Sequence, residues 1–334
     1  MSKHRLDFGI TFKGDMSPER TVSLAKMAED AGFKYVWAFD SHVLWKDPYP
    51  MLALLAANTS KVRLGTMVTN PAVRDLTVTA SLFATLNLIS GGRMDMGIGR
   101  GDSSRRVLGH GPTKVADLRR AVQTIRALAS GKEAEHEGQK VQLKWASGEL
   151  PAWVAGYGPK VLAMTGEVAQ GLILQIADPF LIRWFASITR ESAQKTGRKA
   201  ADVKVLAAAP VWVSDDLAKA RAQVRWFPAM VGNHVADLVE RYHQGELPKE
   251  LTDYIEGRKG YDYQEHADPN ADHLGFITDE VIDRFTIVGP AEAHRQKLQE
   301  LIEAGIDQFN VYLMSGDEER QLELYAKEIV PAFS

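Results

Sequence analysis

The chain has 334 residues, enough for two average domains or for one large α/β barrel, which takes about 250 residues plus insertions. Hydrophobic residues make up 45% and charged residues 25%, the balance of an ordinary soluble globular protein, and a formal net charge of -3 leaves no cationic footprint for nucleic acid or an anionic membrane. Without cysteine there are no disulfides, thiolate nucleophiles or thiolate-ligated metals; the start MSKHRLDFGITF lacks a signal-peptide core and no run nears the roughly 20 apolar residues of a membrane span, so a cytoplasmic protein is expected.

Short β-branched or apolar runs alternate with helical patterns along the whole chain. LDFGI (6–10) reads as a strand, and the following helix has Ser17 as its N-cap, Pro18 in its first turn and Gly32 as its stop. KYVWAF (34–39) and VRLGTMV (62–68) are the second and third strands, separated by the helix YPMLALLAANTS. TVTASLFATLNLISGG is a helix ending on paired glycines, and RMDMGIG (93–99) is the fourth strand. After a helix at 114–130, the polar stretch near 131–150 reads as a hairpin insertion. PAWVAG (151–156), GLILQI (171–176) and VKVLAAAPVWV (203–213) follow as strands, and FTIVG (285–289), a helix and FNVYL (309–313) close the pattern. One unbroken rhythm over residues 1–334 favours a single (β/α)8 TIM barrel with insertions over two doubly wound domains. The span 226–275 is rich in Trp, Tyr, His and charge without a clear period, and is expected to be a lid or an interface.

In such a barrel, chemistry belongs to the C-terminal ends of the strands. Polar residues collect there: Thr11 and Lys13, Asp40 and His42, Thr66 to Asn70, Gly99 with Arg100 and Asp102, Gly156 to Lys160, then Gln175 and Asp178. In WVAGYGPK, Gly156 and Gly158 let backbone approach a ligand at the start of a helix, where N–H groups and the dipole favour a phosphate. GIGRGD (97–102) lacks the G-x-G-x-x-G spacing of a dinucleotide site, no Walker A or G-x-S-x-G sequence occurs, and no histidine pair has H-E-x-x-H spacing. His234, His243, His266 and His273 are scattered, so no metal site is expected. Trp37, Trp153 and Trp212 fall within strands and read as core, whereas Trp45 and Trp226 read as loop residues able to face a planar ligand.

AEDAGFKYVWAFDSH (28–42), VRLGTMVTNPAVRDLTVTA (62–80), ISGGRMDMGIGRGDS (89–103), WVAGYGPKVLAMTGEVAQGLIL (153–174) and RFTIVGPAEAHRQKLQELIEAGIDQFNVYL (284–313) together resemble the bacterial-luciferase-like superfamily of flavin and deazaflavin oxidoreductases. The likeness is greatest to the branch of methylenetetrahydromethanopterin reductase and other enzymes using the deazaflavin coenzyme F-420. It implies hydride transfer between deazaflavin, or FMN, and a small organic substrate. The alternatives are a two-component monooxygenase supplied with reduced FMN by a separate flavin reductase, and a non-catalytic flavin-binding or sugar-binding barrel. The resemblance also implies a cis peptide at Met67–Val68 against the ring face, with Thr66, Thr69 and Asn70 at its polar edge. Arg74 and Asp75 suit an ion pair that pins this loop or caps the next helix. A phosphate loop is implied at Ala155, Gly156, Tyr157 and Gly158, with Gly99 lining the cofactor; Arg100 stands where several deazaflavin enzymes carry a Glu or a small residue, and is read as a cation for the coenzyme tail or an anionic substrate. His42 is then a candidate proton donor, Asp40 its catalytic alternative, and a homodimer or higher homo-oligomer the expected assembly.

Overall fold

The computed structural model describes residues 5–101, 103–230 and 277–333. In chain order the first half gives β1 (Asp7–Phe12), α1 (Pro18–Asp30), β2 (Tyr35–Ala38), α2 (Pro48–Asn58), β3 (Arg63–Thr66), α3 (Leu76–Ser90), β4 (Met94–Ile98), α4 (Ser103–Arg106) and α5 (Val115–Ala129). Next come β5 (Ala134–His136), β6 (Gln139–Val141), β7 (Ala152–Ala155), α6 (Pro159–Val168), β8 (Gly171–Leu174), α7 (Pro179–Lys195), β9 (Lys204–Val213) and α8 (Leu217–Val224). The described remainder is α9 (Asp279–Phe285), β10 (Ile287–Gly289), α10 (Ala291–Ala304), β11 (Gln308–Tyr312) and α11 (Glu318–Leu324).

Eight parallel strands close into a barrel in the order β11-β1-β2-β3-β4-β7-β8-β9, with β9 pairing back onto β11. The anticipated strand at 285–289 is not a stave. Phe285 ends α9, and β10 adds only to Val211–Val213, the far end of a β9 that runs ten residues and projects past the ring. Between α5 and β7, β5 and β6 form an antiparallel hairpin turning at Glu137 and Gly138.

Local chemistry sets the element ends. Ser17 accepts from the Arg20 N–H at 3.2 Å, Pro18 opens α1, and Gly32 reverses the chain at φ 86°. Asp75 accepts from Thr77 N at 2.7 Å to cap α3, which stops at Gly91 in the left-handed region. At the end of the barrel away from the strand C-termini, the Glu29 carboxylate gathers the backbone N–H groups of Ser60, Lys61 and Val62, and Arg93 donates to the carbonyls of Ala56, Thr59, Val62 and Ser90.

Large and small side chains interlock inside the ring. Trp37 and Trp153 meet edge to face with centroids 5.9 Å apart, and the Trp153 indole N–H donates to the buried Asp95 carboxylate at 3.0 Å. Gly171 makes room for that indole, since a Cβ there would stand 2.0 Å from its Cε3 atom. Trp37, Trp153 and Trp212 are all buried.

Candidate active site

The third strand stops at Thr66, and one residue further on the Met67–Val68 peptide bond is cis. Both residues line a cleft at the C-terminal rim. Phe39 and Trp45 form an aromatic wall, Ser41, Ser103 and Ser104 present hydroxyls, and Gln175 and Met230 border the opening. The Met67 thioether points inward, 3.4 Å from the Thr11 hydroxyl and 3.5 Å from the Asn310 amide nitrogen, which fixes the floor of the cleft from within the barrel. Gly99, at the end of β4, touches both halves of the rim. A Cβ added there would lie 2.9 Å from Val68 and 3.7 Å from the Ala155 side chain, so the bulge, the fourth strand and the 155–158 loop close together only around a glycine.

The polar residues after β3 are engaged inside the protein. Thr66 donates to the Gly97 carbonyl at 2.7 Å, and Thr69 accepts from the Tyr49 hydroxyl at 3.3 Å. The Asn70 carboxamide accepts from Ala72 N at 3.1 Å and donates to Ser104 at 2.8 Å, which sets a hydroxyl that faces the cleft. Ser41 and Ser103 share a hydrogen bond at 2.8 Å. Arg74 does not pair with Asp75. It donates to both oxygens of Asp40, at 2.7 and 3.3 Å, and to Asp47 at 2.6 Å, with its guanidinium 4.7 Å from the centre of the Tyr49 ring. Burial works against the Arg74 charge, but Asp40 and Asp47 outweigh it and raise its pKa. Burial also pushes the Tyr49 phenol up, so it remains a donor. Asp75 instead caps α3 and receives His136 at 2.9 Å; the Thr77 hydroxyl is the largest cause holding its pKa down at about 2.

Asp40 lines the cleft, but both its oxygens serve Arg74, while His42 stands exposed two residues on, just past the cleft-lining Ser41. Arg100 is half-buried, and its Nε donates to the Thr113 carbonyl at 2.6 Å. Burial first, then the nearby Arg106, lower its pKa. Ala155, Gly156, Tyr157 and Gly158 form the turn from β7 into α6, with Gly158 as N-cap and Lys160 exposed in the first turn. Tyr157 accepts from Gln175 N at 3.1 Å, and Gln175 donates to Tyr312 at 2.7 Å, tying this turn to β8 and β11. Lys13 pairs with Asp15, and Asp178 turns away from the cleft to cap α7 and pair with Arg284.

A family model described as luciferase-like monooxygenase matches residues 5–308. The chain belongs to the luciferase-like monooxygenase family. The 5,10-methylenetetrahydromethanopterin reductase of Methanolobus tindarius is 30% identical over 333 residues, covering 97% of this chain and 100% of that relative. Its counterpart in Archaeoglobus fulgidus is 30% identical over 338 residues, 98% and 99% of the two chains. The solved structure of the coenzyme F-420-dependent tetrahydromethanopterin reductase of Methanopyrus kandleri matches with a TM-score of 0.80 and 25% identity, covering 99% of this chain and 100% of that one. Monooxygenase RslO1 of Streptomyces bottropensis shares the fold, with a TM-score of 0.72 at 18% identity over 98% of this chain and 100% of that one.

Against this luciferase-like frame, one aromatic assignment needs revision. Trp226 is buried and packs edge to face with Phe227, which in turn meets Tyr312 edge-on at 5.6 Å; neither borders the cleft, whereas Met230 does. Trp45 lies in the cleft wall. The rest of the 226–275 span, with Tyr242, Tyr261, Tyr263 and the four scattered histidines, lies outside the described residues, as does Asp102. Sequence reasoning missed Phe39, Ser41, Ser103 and Ser104 as cleft residues. The adjacency of Ser41 to Asp40 and the Ser pair behind GIGRGD were the available signals.

Proposed function

We propose that this chain is an oxidoreductase that holds a planar deazaflavin, coenzyme F-420, or the flavin FMN over the Met67–Val68 bulge and serves hydride transfer with a small organic substrate. The observation carrying this reading is that Met67 and Val68 border the same cleft as an aromatic wall and a row of hydroxyls. An apolar floor, an aromatic side and a polar edge suit a flat heteroaromatic ring. The solved structure named as the coenzyme F-420-dependent tetrahydromethanopterin reductase of Methanopyrus kandleri, matched over 99% of this chain and 100% of that one, favours F-420 over FMN.

The bound ring supplies the hydride chemistry, and the protein's work is to bind it, orient it and exclude water. Met67 and Val68 would support the ring, and the hydroxyls of Ser41, Ser103 and Ser104 would offer it hydrogen bonds. Thr66, Thr69 and Asn70 hold the loop to its neighbours, while the turn at 155–158 and the N-terminus of α6 would hold a phosphate. Asp40, locked to Arg74, positions the loop after β3, and His42, exposed beside the cleft-lining Ser41, would hold or release a proton at its imidazole. Gly99 keeps the fourth strand close to the bulge, and Arg100 offers a cation to the coenzyme tail or to an acidic substrate. The same reading takes the protein as a cytoplasmic homo-oligomer; among the described residues no helix is long and apolar enough to cross a membrane.

Incubation with F-420 or FMN, removal of free ligand and absorbance of what is retained tests the proposal. Retention of F-420 at micromolar concentration is expected, and retention of neither overturns it. Oxygen uptake with reduced FMN and a flavin reductase would replace the F-420 reading with the monooxygenase.

A further inference from the structure

Polar side chains inside the ring of strands are mostly paired. Asp95 takes Arg63 and the Trp153 indole, and Thr66 takes the Gly97 carbonyl. Three neighbours break this pattern. Both polar ends of the Gln308 carboxamide, the Asn310 Oδ1 atom and the Trp37 indole N–H are buried without a hydrogen-bond partner among the described residues. Gln308 is 1% exposed, and Asn310 and Trp37 are 0% exposed. Turning the Asn310 amide over exchanges the end that is left over without satisfying it.

Strand register brings these groups to one level of the barrel. Gln308 and Asn310 are alternate residues of β11, so both face the same side, and Asn310 lies opposite Gly9 of β1. A Cβ on Gly9 would stand 2.3 Å from Asn310 Oδ1 and 2.9 Å from Gln308 Nε2, so both amides crowd the one point on β1 that carries no side chain. On the other flank of β1, Gly9 is opposite Tyr35 and Thr11 is opposite Trp37.

We propose that this level of the barrel is a binding site for water, and that Gln308, Asn310 and the water they share position the Met67 side chain beneath the cleft. The chemistry of the four atoms selects the ligand. Gln308 Oε1 and Asn310 Oδ1 accept, whereas Gln308 Nε2 and Trp37 Nε1 donate. The donors repel a cation, the acceptors repel an anion, and an apolar molecule satisfies neither. Water does both, and a buried water typically makes about three hydrogen bonds to such groups. Because one point beside Gly9 lies within 2.9 Å of both amides, a single water at about 2.9 Å from each can span them.

The link to the cleft rests on the cofactor reading above. The Nδ2 end of Asn310 donates to the Thr11 hydroxyl and lies 3.5 Å from the Met67 Sδ atom, and Thr11 donates to the same sulfur at 3.4 Å. A water held on Asn310 Oδ1 fixes the plane of the amide. The plane fixes Nδ2, and Nδ2 with Thr11 fixes a residue that borders the cleft. Gln308 has no hydrogen bond to Thr11 or Met67, so its influence on them passes through the water.

A high-resolution crystal structure of the full chain, with NMR of protein labelled at the methionine methyls, tests both parts. The chain has 10 methionines, and Met67→Leu identifies the Met67 signal. Gln308→Met and Asn310→Leu each replace a carboxamide with an apolar side chain of similar size. The parent is expected to show ordered water within hydrogen-bond distance of both carboxamides. Asn310→Leu touches Met67 directly, so Gln308→Met decides the coupling, with Gln308→Ala in its place if that variant does not fold. The Met67 methyl signal should shift in the Gln308 variant, and affinity for F-420 or FMN, whichever the parent retains, should fall at least about fivefold. A dry level in the parent, or the two carboxamides bonded directly to each other, would overturn the site. An unmoved Met67 signal in the folded Gln308 variant would overturn the coupling, and a shifted signal with parental affinity would overturn its reach to the cofactor. If the parent retains neither cofactor, the functional reading fails, and the water and the methyl signal still judge the site and its hold on Met67.

Discussion

Arg74→Met should be the most damaging single change at the rim that leaves the hydrophobic core intact. The Asp40 carboxylate is 0% exposed and Arg74 is 15% exposed, so removing the guanidinium leaves a buried charge without a partner. Breaking such a pair from one side costs about 3–5 kcal/mol. The contact with Asp47, which is 44% exposed, adds at most about 1 kcal/mol, and the position over Tyr49 about the same. Urea unfolding at neutral pH should therefore show a loss dominated by Asp40, of about 3–5 kcal/mol. The double variant Arg74→Met, Asp40→Asn holds no buried charge and should recover at least half of that loss. A single variant within about 1 kcal/mol of the parent, or a double variant no better than the single, would refute the argument that Asp40 depends on this counter-ion.

Four further outcomes follow from particular contacts. Asn70→Ala releases Ser104 and should weaken cofactor binding by about 1–3 kcal/mol while moving the apo melting curve less; equal affinity by titration would remove Asn70 from the site. His42→Ala should lower turnover by about 10²–10⁴ with cofactor affinity within a few-fold, and unchanged turnover would end the proton-donor assignment. Gly171→Ala drives a methyl into Trp153 and should cost about 1–3 kcal/mol in a urea titration; a parental midpoint would show that the indole can move aside. His294 is buried, and burial lowers its pKa to about 4 from 6.5, so the unfolded chain binds its proton first as pH falls. Its contribution is complete above about pH 6.5 and is lost progressively towards pH 4, by about 3 kcal/mol in all. Replacing it with Gln should flatten that slope relative to the parent, and parallel slopes would refute the assignment.

The barrel was legible because its staves are short apolar runs bounded by local chemistry. The caps at Ser17, Gly32 and Gly91 depend on residues within a few positions of each helix end. The cis bond at Met67–Val68 was legible through resemblance, which supplied a backbone geometry that no composition encodes. The wiring of the rim was less accessible. Arg74 and Asp75 look like an ion pair in the chain, but each finds a nearer partner once the sheet closes: Asp40 is 34 positions away and His136 is 61 away. The intramolecular partners of Thr66, Thr69 and Asn70 were hidden for the same reason, since Gly97, Tyr49 and Ser104 lie 31, 20 and 34 positions away. Trp226 was misplaced because an aromatic-rich stretch without period does not reveal which ring will meet Tyr312 through Phe227.

The distribution of indoles gives the molecule two optical reporters with different subjects. Trp37 and Trp153 are buried against each other inside the barrel, so short-wavelength emission is expected from them and should follow the integrity of the ring of strands. Trp45 borders the cleft and lies 5.1 Å from Phe39, close enough for an absorbing cofactor to drain its excited state on contact. Quenching without a red shift would record a ligand arriving on an intact barrel, and a red shift would record the barrel opening. A single fluorescence trace can therefore distinguish occupancy from unfolding in the unlabelled chain.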